Sequence, residues 1–210
     1  HGTEMSGATV TWSSSDTAVA TVSSSGLVTS VDNGHADITA TFGSVSSRLI
    51  TDVLQAAESV TLSPTSVNFT SIGDTETLVA AVNDAGGTAI PGLSVTWTTS
   101  AASVATVSSA GLVTSVADGS ATITATFLAL TATAAVTVAQ AAASIELSDT
   151  VLSFTSLADT TQLTATVKDA NGHVITDATL TWTTSDTTVA TVSSAGLVTA
   201  VADGTITVTA

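Results

Sequence analysis

VTWTTSAASVATVSSAGLVTSV, residues 95–116, carries one tryptophan and one glycine on a ladder of alternating Val, Thr and Ser. The phrase also stands at 10–31 as VTWSSSDTAVATVSSSGLVTSV and at 180–201 as LTWTTSDTTVATVSSAGLVTAV. Fourteen of its 22 positions agree in all three copies, among them the Trp, the Gly and six aliphatics. Positions that vary, such as Asp16, Ala101 and Asp186, are expected to face water. Alternation of β-branched and small polar residues is the signature of half-buried strands. The phrase therefore reads as a Trp strand, a polar turn, a Val-Ala-Thr-Val strand, a Ser-Gly turn and a Leu-Val strand. It is scaffolding rather than a site.

The tryptophans fall at 12, 97 and 182, an interval of 85 that also maps Gly26 onto Gly111 and Gly196, and Gly34 onto Gly119 and Gly204. It carries AESVTLSPTSVNFTSIGDTETLVAAV (57–82) onto AASIELSDTVLSFTSLADTTQLTATV (142–167) without a gap. Self-similarity at fixed period means copies of one structural unit, here the size of a small domain. The expected boundaries are a partial repeat at 1–55, a complete one at 56–140, and one lacking its last strand at 141–210. Because the outer copies are cut, the chain reads as a piece of a longer array. The joints, QAAES at 55–59 and AQAAAS at 139–144, are short and Ala-rich without a flexible Gly or Pro linker, which predicts limited bending.

Within the second copy the strands read SVTL, SVNFT, TETLVAAV, SVTWTTS, VATVS, LVTSV, SATITATF and TATAAVTV. Short alternating strands with a turn every eight to twelve positions predict an all-β sandwich. NDAGG, SSAG and ADG supply the turns, and Asn33-Gly34 and Asn171-Gly172 are the strongest hairpin signals. Pro64 and Pro91 sit at strand margins, where a missing donor costs little.

Composition narrows the function. Hydrophobic residues make up 44% of the 210 positions but aromatics only 3%, so the core is Val, Ile, Leu and Ala. Two basic residues against seventeen acidic ones give a net charge of −15, which excludes a nucleic-acid phosphate track and an anionic membrane surface. Cysteine is absent, which removes disulfides and thiolate chemistry. Residues 119–145 carry no charge and are long enough to span a bilayer. Thr122, Thr124 and Thr126 alternate there, however, and the matching stretch of the first copy carries Asp37, Arg48 and Asp52, so a strand is expected.

Reactive constellations are scarce. His1, His35 and His173 occupy non-equivalent positions, and neither a GxSxG elbow nor an SxxK motif is present. No enzyme is expected. Trp12, Trp97 and Trp182 could stack on a sugar, but in an alternating strand each is better read as the large core residue between two sheets. Asp74, Glu76, Asp84, Asp118, Asp159, Asp169 and Asp203 fall in turns, where such residues usually cap their own backbone. Only Asp74-Thr75-Glu76 offers two carboxylates in one loop, and Glu58 lies near a joint. Asp74, Glu76 and Glu58 are the candidates for a structural calcium ion; no cofactor is expected. Asn68-Phe69-Thr70 has the form of a glycosylation acceptor and reads as a chance match.

A Trp strand, a Ser-rich turn, VATVSSxGLVTxV, an Asp-Gly or Asn-Gly turn and a closing ATITAT strand together resemble the bacterial immunoglobulin-like domain of group 2. The resemblance covers the second copy in full and the other two wherever they exist, with a departure at His35 and Asp37. It implies tandem immunoglobulin-like β-sandwiches of the kind found in intimin- and invasin-type adhesins, surface-layer proteins and phage structural proteins. It brings no catalytic residues. The expectation is a non-catalytic stalk or spacer in an extracellular cell-surface protein, with neighbouring domains of the same chain as its partners. The alternative is a virion or surface-assembly component that binds a glycan or host protein weakly, or self-associates by strand exchange.

Overall fold

The computed structural model describes residues 9–210, and every regular element among them is a β-strand. The first copy contributes β1 (Thr11–Ser14), β2 (Ala20–Val22), β3 (Val28–Ser30), β4 (Gly34–Phe42) and β5 (Val45–Val53). The second contributes β6 (Ser59–Ser63), β7 (Ser66–Phe69), β8 (Thr75–Thr77), β9 (Val79–Asn83), β10 (Thr96–Thr99), β11 (Ala105–Val107), β12 (Leu112–Ser115), β13 (Gly119–Phe127) and β14 (Leu130–Val138). The third contributes β15 (Ser144–Leu147), β16 (Thr160–Gln162), β17 (Ala165–Lys168), β18 (Thr183–Thr184), β19 (Ala190–Val192), β20 (Leu197–Ala200) and β21 (Val208–Thr209). By compactness the chain divides into one unit of residues 1–59 with 82–93 and another of 60–81 with 94–210.

In the second copy β10, β13, β14 and β7 form one sheet in that order, and β11, β12 and β8 form another. The sequence alternation becomes the two faces of the first sheet. Ala121, Ile123 and Ala125 of β13 and Ala134, Val136 and Val138 of β14 are buried, while the threonines between them point outward. Ala105 and Val113 of the second sheet are fully buried as well, so both sheets close on one apolar interior. The uncharged stretch 119–145 is thus a strand hairpin and a joint. No helix among the described residues is long and apolar enough to cross a membrane.

Two local expectations change. TETLVAAV is two strands, because the chain leaves one sheet for another at Leu78: β8 pairs with β12, whereas β9 pairs with β6. Leu78 is buried at the corner and its N–H donates to the Gly111 carbonyl at 2.9 Å. Asn33-Gly34 is not a hairpin turn, since it joins β3 and β4, which belong to different sheets. Gly34 is there for close approach: φ is +145°, and a Cβ would stand 2.7 Å from Val19 Cγ2. Asn171-Gly172 does turn a hairpin, closed by the Lys168–Val174 bridge.

The repeated phrase is held by the same contacts each time. Gly26, Gly111 and Gly196 have φ of +86°, +81° and +84°, and a Cβ on any of them would lie 2.8, 2.9 and 3.0 Å from the Cζ2 of Trp12, Trp97 and Trp182. In the second and third copies it would also collide with the Leu78 and Leu163 carbonyl oxygens. The hydroxyls of Ser23, Ser108 and Ser193 accept from the N–H of Leu27, Leu112 and Leu197 at 3.0, 3.1 and 3.1 Å, which fixes the turn. The hydroxyls of Ser15, Ser100 and Ser185 accept from the N–H of Asp37, Thr122 and Thr207, tying the end of the Trp strand to the closing strand.

Positive φ sets two stability changes of opposite sign. Gly111→Ala should cost about 2–4 kcal/mol, from the left-handed conformation plus the clash with Trp97 and Leu78. Ala158 holds φ +67° where the second copy has Gly73 at +84°. Ala158→Gly should stabilise by up to about 1 kcal/mol, the relief of strain less the added chain entropy. Urea unfolding of both variants checks the pair, and a stabilised Gly111→Ala would refute the packing account.

Candidate functional site

None of the three tryptophans is among the buried residues. Trp97 and Trp182 are half-buried, Trp182 against the cluster of Leu163, Ala190 and Val198, while Trp12 is 37% exposed. Each ring has its edge against the glycine turn. Of the calcium candidates, Asp74 accepts from the Ser71 N–H through Oδ2 and from the Asn171 side chain through Oδ1. Glu76 is exposed in β8 opposite Val113, and Glu58 is exposed with its N–H on the Asn83 carbonyl. Among the described residues no group of three or more His, Cys, Asp or Glu gathers that could hold a metal ion.

His1 lies outside the described residues. His35 sits on the outward face of β4, its Nδ1 2.8 Å from Asp52 Oδ1 and its Nε2 3.4 Å from Asp37 Oδ1, with Arg48 on the other Asp37 oxygen. The Asp52 hydrogen bond raises the His35 pKa above 6.5, against a smaller effect of desolvation and with help from the charges of Asp52 and Asp37. His35, Arg48 and Asp52 are exposed and Asp37 is half-buried, so the four form a charge ladder across β4 and β5.

The polar groups that do converge lie at the joints. Counted in steps of 85, Gln55 and Gln140 are one position, Asn33 and Asp118 a second, and Asp84 and Asp169 a third. At both joints the Gln backbone N–H donates to the position-33 or position-118 side chain, at 2.6 and 2.8 Å. Its side-chain amide donates to Oδ2 of Asp84 or Asp169, at 2.8 and 2.9 Å. The other carboxylate oxygen organises the hairpin turn of the following repeat. Asp84 Oδ1 accepts from Gly86 and Thr88, and Asp169 Oδ1 accepts from Asn171 and His173.

The Asp169 joint is the more complete. Asp169 Oδ2 also accepts from the Ile72 N–H at 2.9 Å, and the Asn171 amide donates to the Ile72 carbonyl and to Asp74 Oδ1, both at 2.9 Å. The connecting segment is fastened on both sides: Ala139 and Ala141 donate to Phe69 and Thr70, and Ala143 donates to Lys168. Asp169 is 2% exposed yet has four N–H donors for its two oxygens, with His173 Nδ1 3.8 Å from Oδ1, which is how the buried carboxylate stays ionised. Desolvation pushes its pKa up, but the bonds from Gln140, Ile72, His173 and Asn171 outweigh that and lower it to about 2. The turn role of Asp84 and Asp169 was legible from the sequence. Their pairing with Gln55 and Gln140 was not, although polar residues recurring at 85 beside Ala-rich joints were the available signal.

The sign of the acid response follows. A carboxylate lowered from 3.8 to about 2 contributes its stability fully above 3.8, and that contribution is lost as pH falls through about 2. The Ile72 amide resonance should titrate with a midpoint near 2. An ordinary carboxylate midpoint would show that Asp169 is not held as described.

Comparison with known proteins bears on all three copies. The model of the bacterial Ig-like domain (group 2) matches residues 2–53, 56–139 and 141–210. Over 120 residues, 57% of this chain, the sequence is 38% identical to Ice-binding protein 1 of Shewanella frigidimarina (strain NCIMB 400), and that stretch is 14% of the relative's length. Among solved structures, domains 4 and 5 of the S-layer protein SbsC are 25% identical, covering 66% of this chain and 76% of that one, at a TM-score of 0.40. The Escherichia coli adhesin FdeC is 22% identical over 80% of this chain and 65% of its own, at a TM-score of 0.43.

Proposed function

From the premise that the chain belongs to the bacterial Ig-like domain family of group 2, in three tandem copies, we propose that it is a non-catalytic spacer within a larger extracellular surface protein. The observation that carries this reading is the joint. Gln55–Asp84 and Gln140–Asp169 repeat one hydrogen-bonded connection where a flexible tether would have left the backbone to water. A hydrogen-bonded joint resists bending, so each added repeat adds length and the array holds a distal domain away from its anchor. The acidic surface supports the same reading through self-repulsion between neighbouring molecules. Small-angle scattering should show an elongated particle whose maximum dimension shortens or broadens in Asp169→Ala. A compact particle with repeats folded side by side overturns the spacer.

A second reading rests on the outward face of β10, β13 and β14. Thr98 stands opposite Thr124, Thr124 opposite Thr133, and Thr126 opposite Thr131, with no charge anywhere from 119 to 145. On a chain of net charge −15 this hydroxyl array is suited to a neutral, hydroxylated surface. The name of the Shewanella relative makes ice the first surface to try. Incorporation of the chain into a growing ice front, lost in a Thr124→Lys, Thr133→Lys double variant, would support it. Exclusion equal to that of an unrelated acidic protein rejects it.

A further inference from the structure

The loop Ser71–Asp74 is one half of the Asp169 joint: Ile72 presents its N–H and carbonyl, and Asp74 presents Oδ1. Its counterpart in the third repeat is Ser156–Asp159, and the loop is built the same way. Asp159 Oδ2 accepts from the Ser156 N–H at 3.1 Å, as Asp74 Oδ2 does from Ser71 at 3.1 Å. Ala158 donates to the Ala200 carbonyl and Ala200 donates back to Asp159, matching Gly73 with Ser115 and Ser115 with Asp74. Ala158 keeps the left-handed φ of +67° even though it is not glycine. Leu157, in the place of Ile72, is 62% exposed.

We propose that Leu157–Asp159 is a preformed docking loop for another Ig-like repeat whose first hairpin carries an Asp-x-Asn-Gly turn, the sequence found at Asp169–Gly172. This rests on the joint reading and extends its interface to a further surface. The chemistry is complementary group by group. The Leu157 N–H meets the incoming Asp carboxylate, and the Leu157 carbonyl and Asp159 Oδ1 receive the two hydrogens of the incoming Asn amide. The apolar Leu157 side chain, 62% exposed, becomes half-buried as Ile72 is. The methyl of Ala158 fits as well, because an ideal Cβ at Gly73 would lie 3.8 Å from His173 Cε1 and 4.0 Å from Asn171 Nδ2, ordinary contact distances.

The 85-residue period supplies the test, since Ala210 is equivalent to Ala125. A chain extended by repeating residues 126–210 after Ala210 adds a Gln140 and an Asp169 equivalent in register. Amide hydrogen exchange is then compared at Ile72 and Leu157. Ile72 should be protected in both chains, and Leu157 should slow by about tenfold or more only in the extended one. Replacing the added repeat's counterpart of Asp169 by Ala should return Leu157 to fast exchange, and Asp159→Ala should do so in part, both without affecting Ile72. Fast Leu157 exchange in the extended chain with Ile72 still protected overturns this inference alone. Fast exchange at Ile72 overturns the joint reading beneath it.

Discussion

The fold hangs on a tryptophan ring resting against a glycine that turns the chain. Trp97 belongs to β10 in one sheet, while Gly111 lies between β11 and β12 in the other, so their contact ties the two sheets together. The tie demands a residue without a Cβ at a left-handed φ, and Ser108 holds that turn with its hydroxyl. With aromatics at 3% of the chain, the interior is mostly aliphatic, built from Ala, Val, Ile and Leu with Phe69 among them, and the Trp ring packs at its edge. The same three parts, Trp, Ser and Gly, recur in each copy in the same contacts.

Electrostatics explains why the joints use amides. The chain has two cations: Arg48 pairs with Asp37 and Lys168 with Glu146. A buried carboxylate at a joint therefore relies mainly on dipoles, and Asp169 collects them from Gln140, Ile72, Asn171 and His173, with the His173 ring 3.8 Å away. Such a bond set is directional, whereas a lone charge pair is not. Gln140 and Ile72 come from one repeat and Asn171 and His173 from the next, so the carboxylate is satisfied only when both are in place. That makes the joint a defined geometry rather than a loose tether.

Much of this was legible in the sequence, for reasons that can be stated. Alternation of Val and Thr is a backbone-period signal, so the strands of the second copy follow directly, as does the all-β class. The split of TETLVAAV at Leu78 was hidden because the residues on both sides are good strand formers, and only tertiary pairing shows the change of sheet. Asn33-Gly34 misled because the same dipeptide serves a tight hairpin and a close approach, and Val19, fifteen residues away, decides between them. The joint eluded sequence reading for a related reason. A glutamine and an aspartate 29 positions apart carry no local pattern, and their meeting depends on the fold having formed first.

The copies differ where this logic would put differences. Within the phrase the Trp, the Gly and the turn serines are fixed, because each is bound by packing or by a backbone hydrogen bond. At the joints, Asn33 becomes Asp118, Gly86 becomes Asn171, Thr88 becomes His173 and Gly73 becomes Ala158. Asn33 and Asp118 both present an oxygen to the Gln N–H, so that change keeps the bond. Gly86 to Asn171 instead adds two, to Ile72 and Asp74. The modules are thus interchangeable inside and individual at their ends. The residues that vary at the joints act through side-chain and turn hydrogen bonds, whereas the phrase keeps its Trp, Gly and serines in every copy.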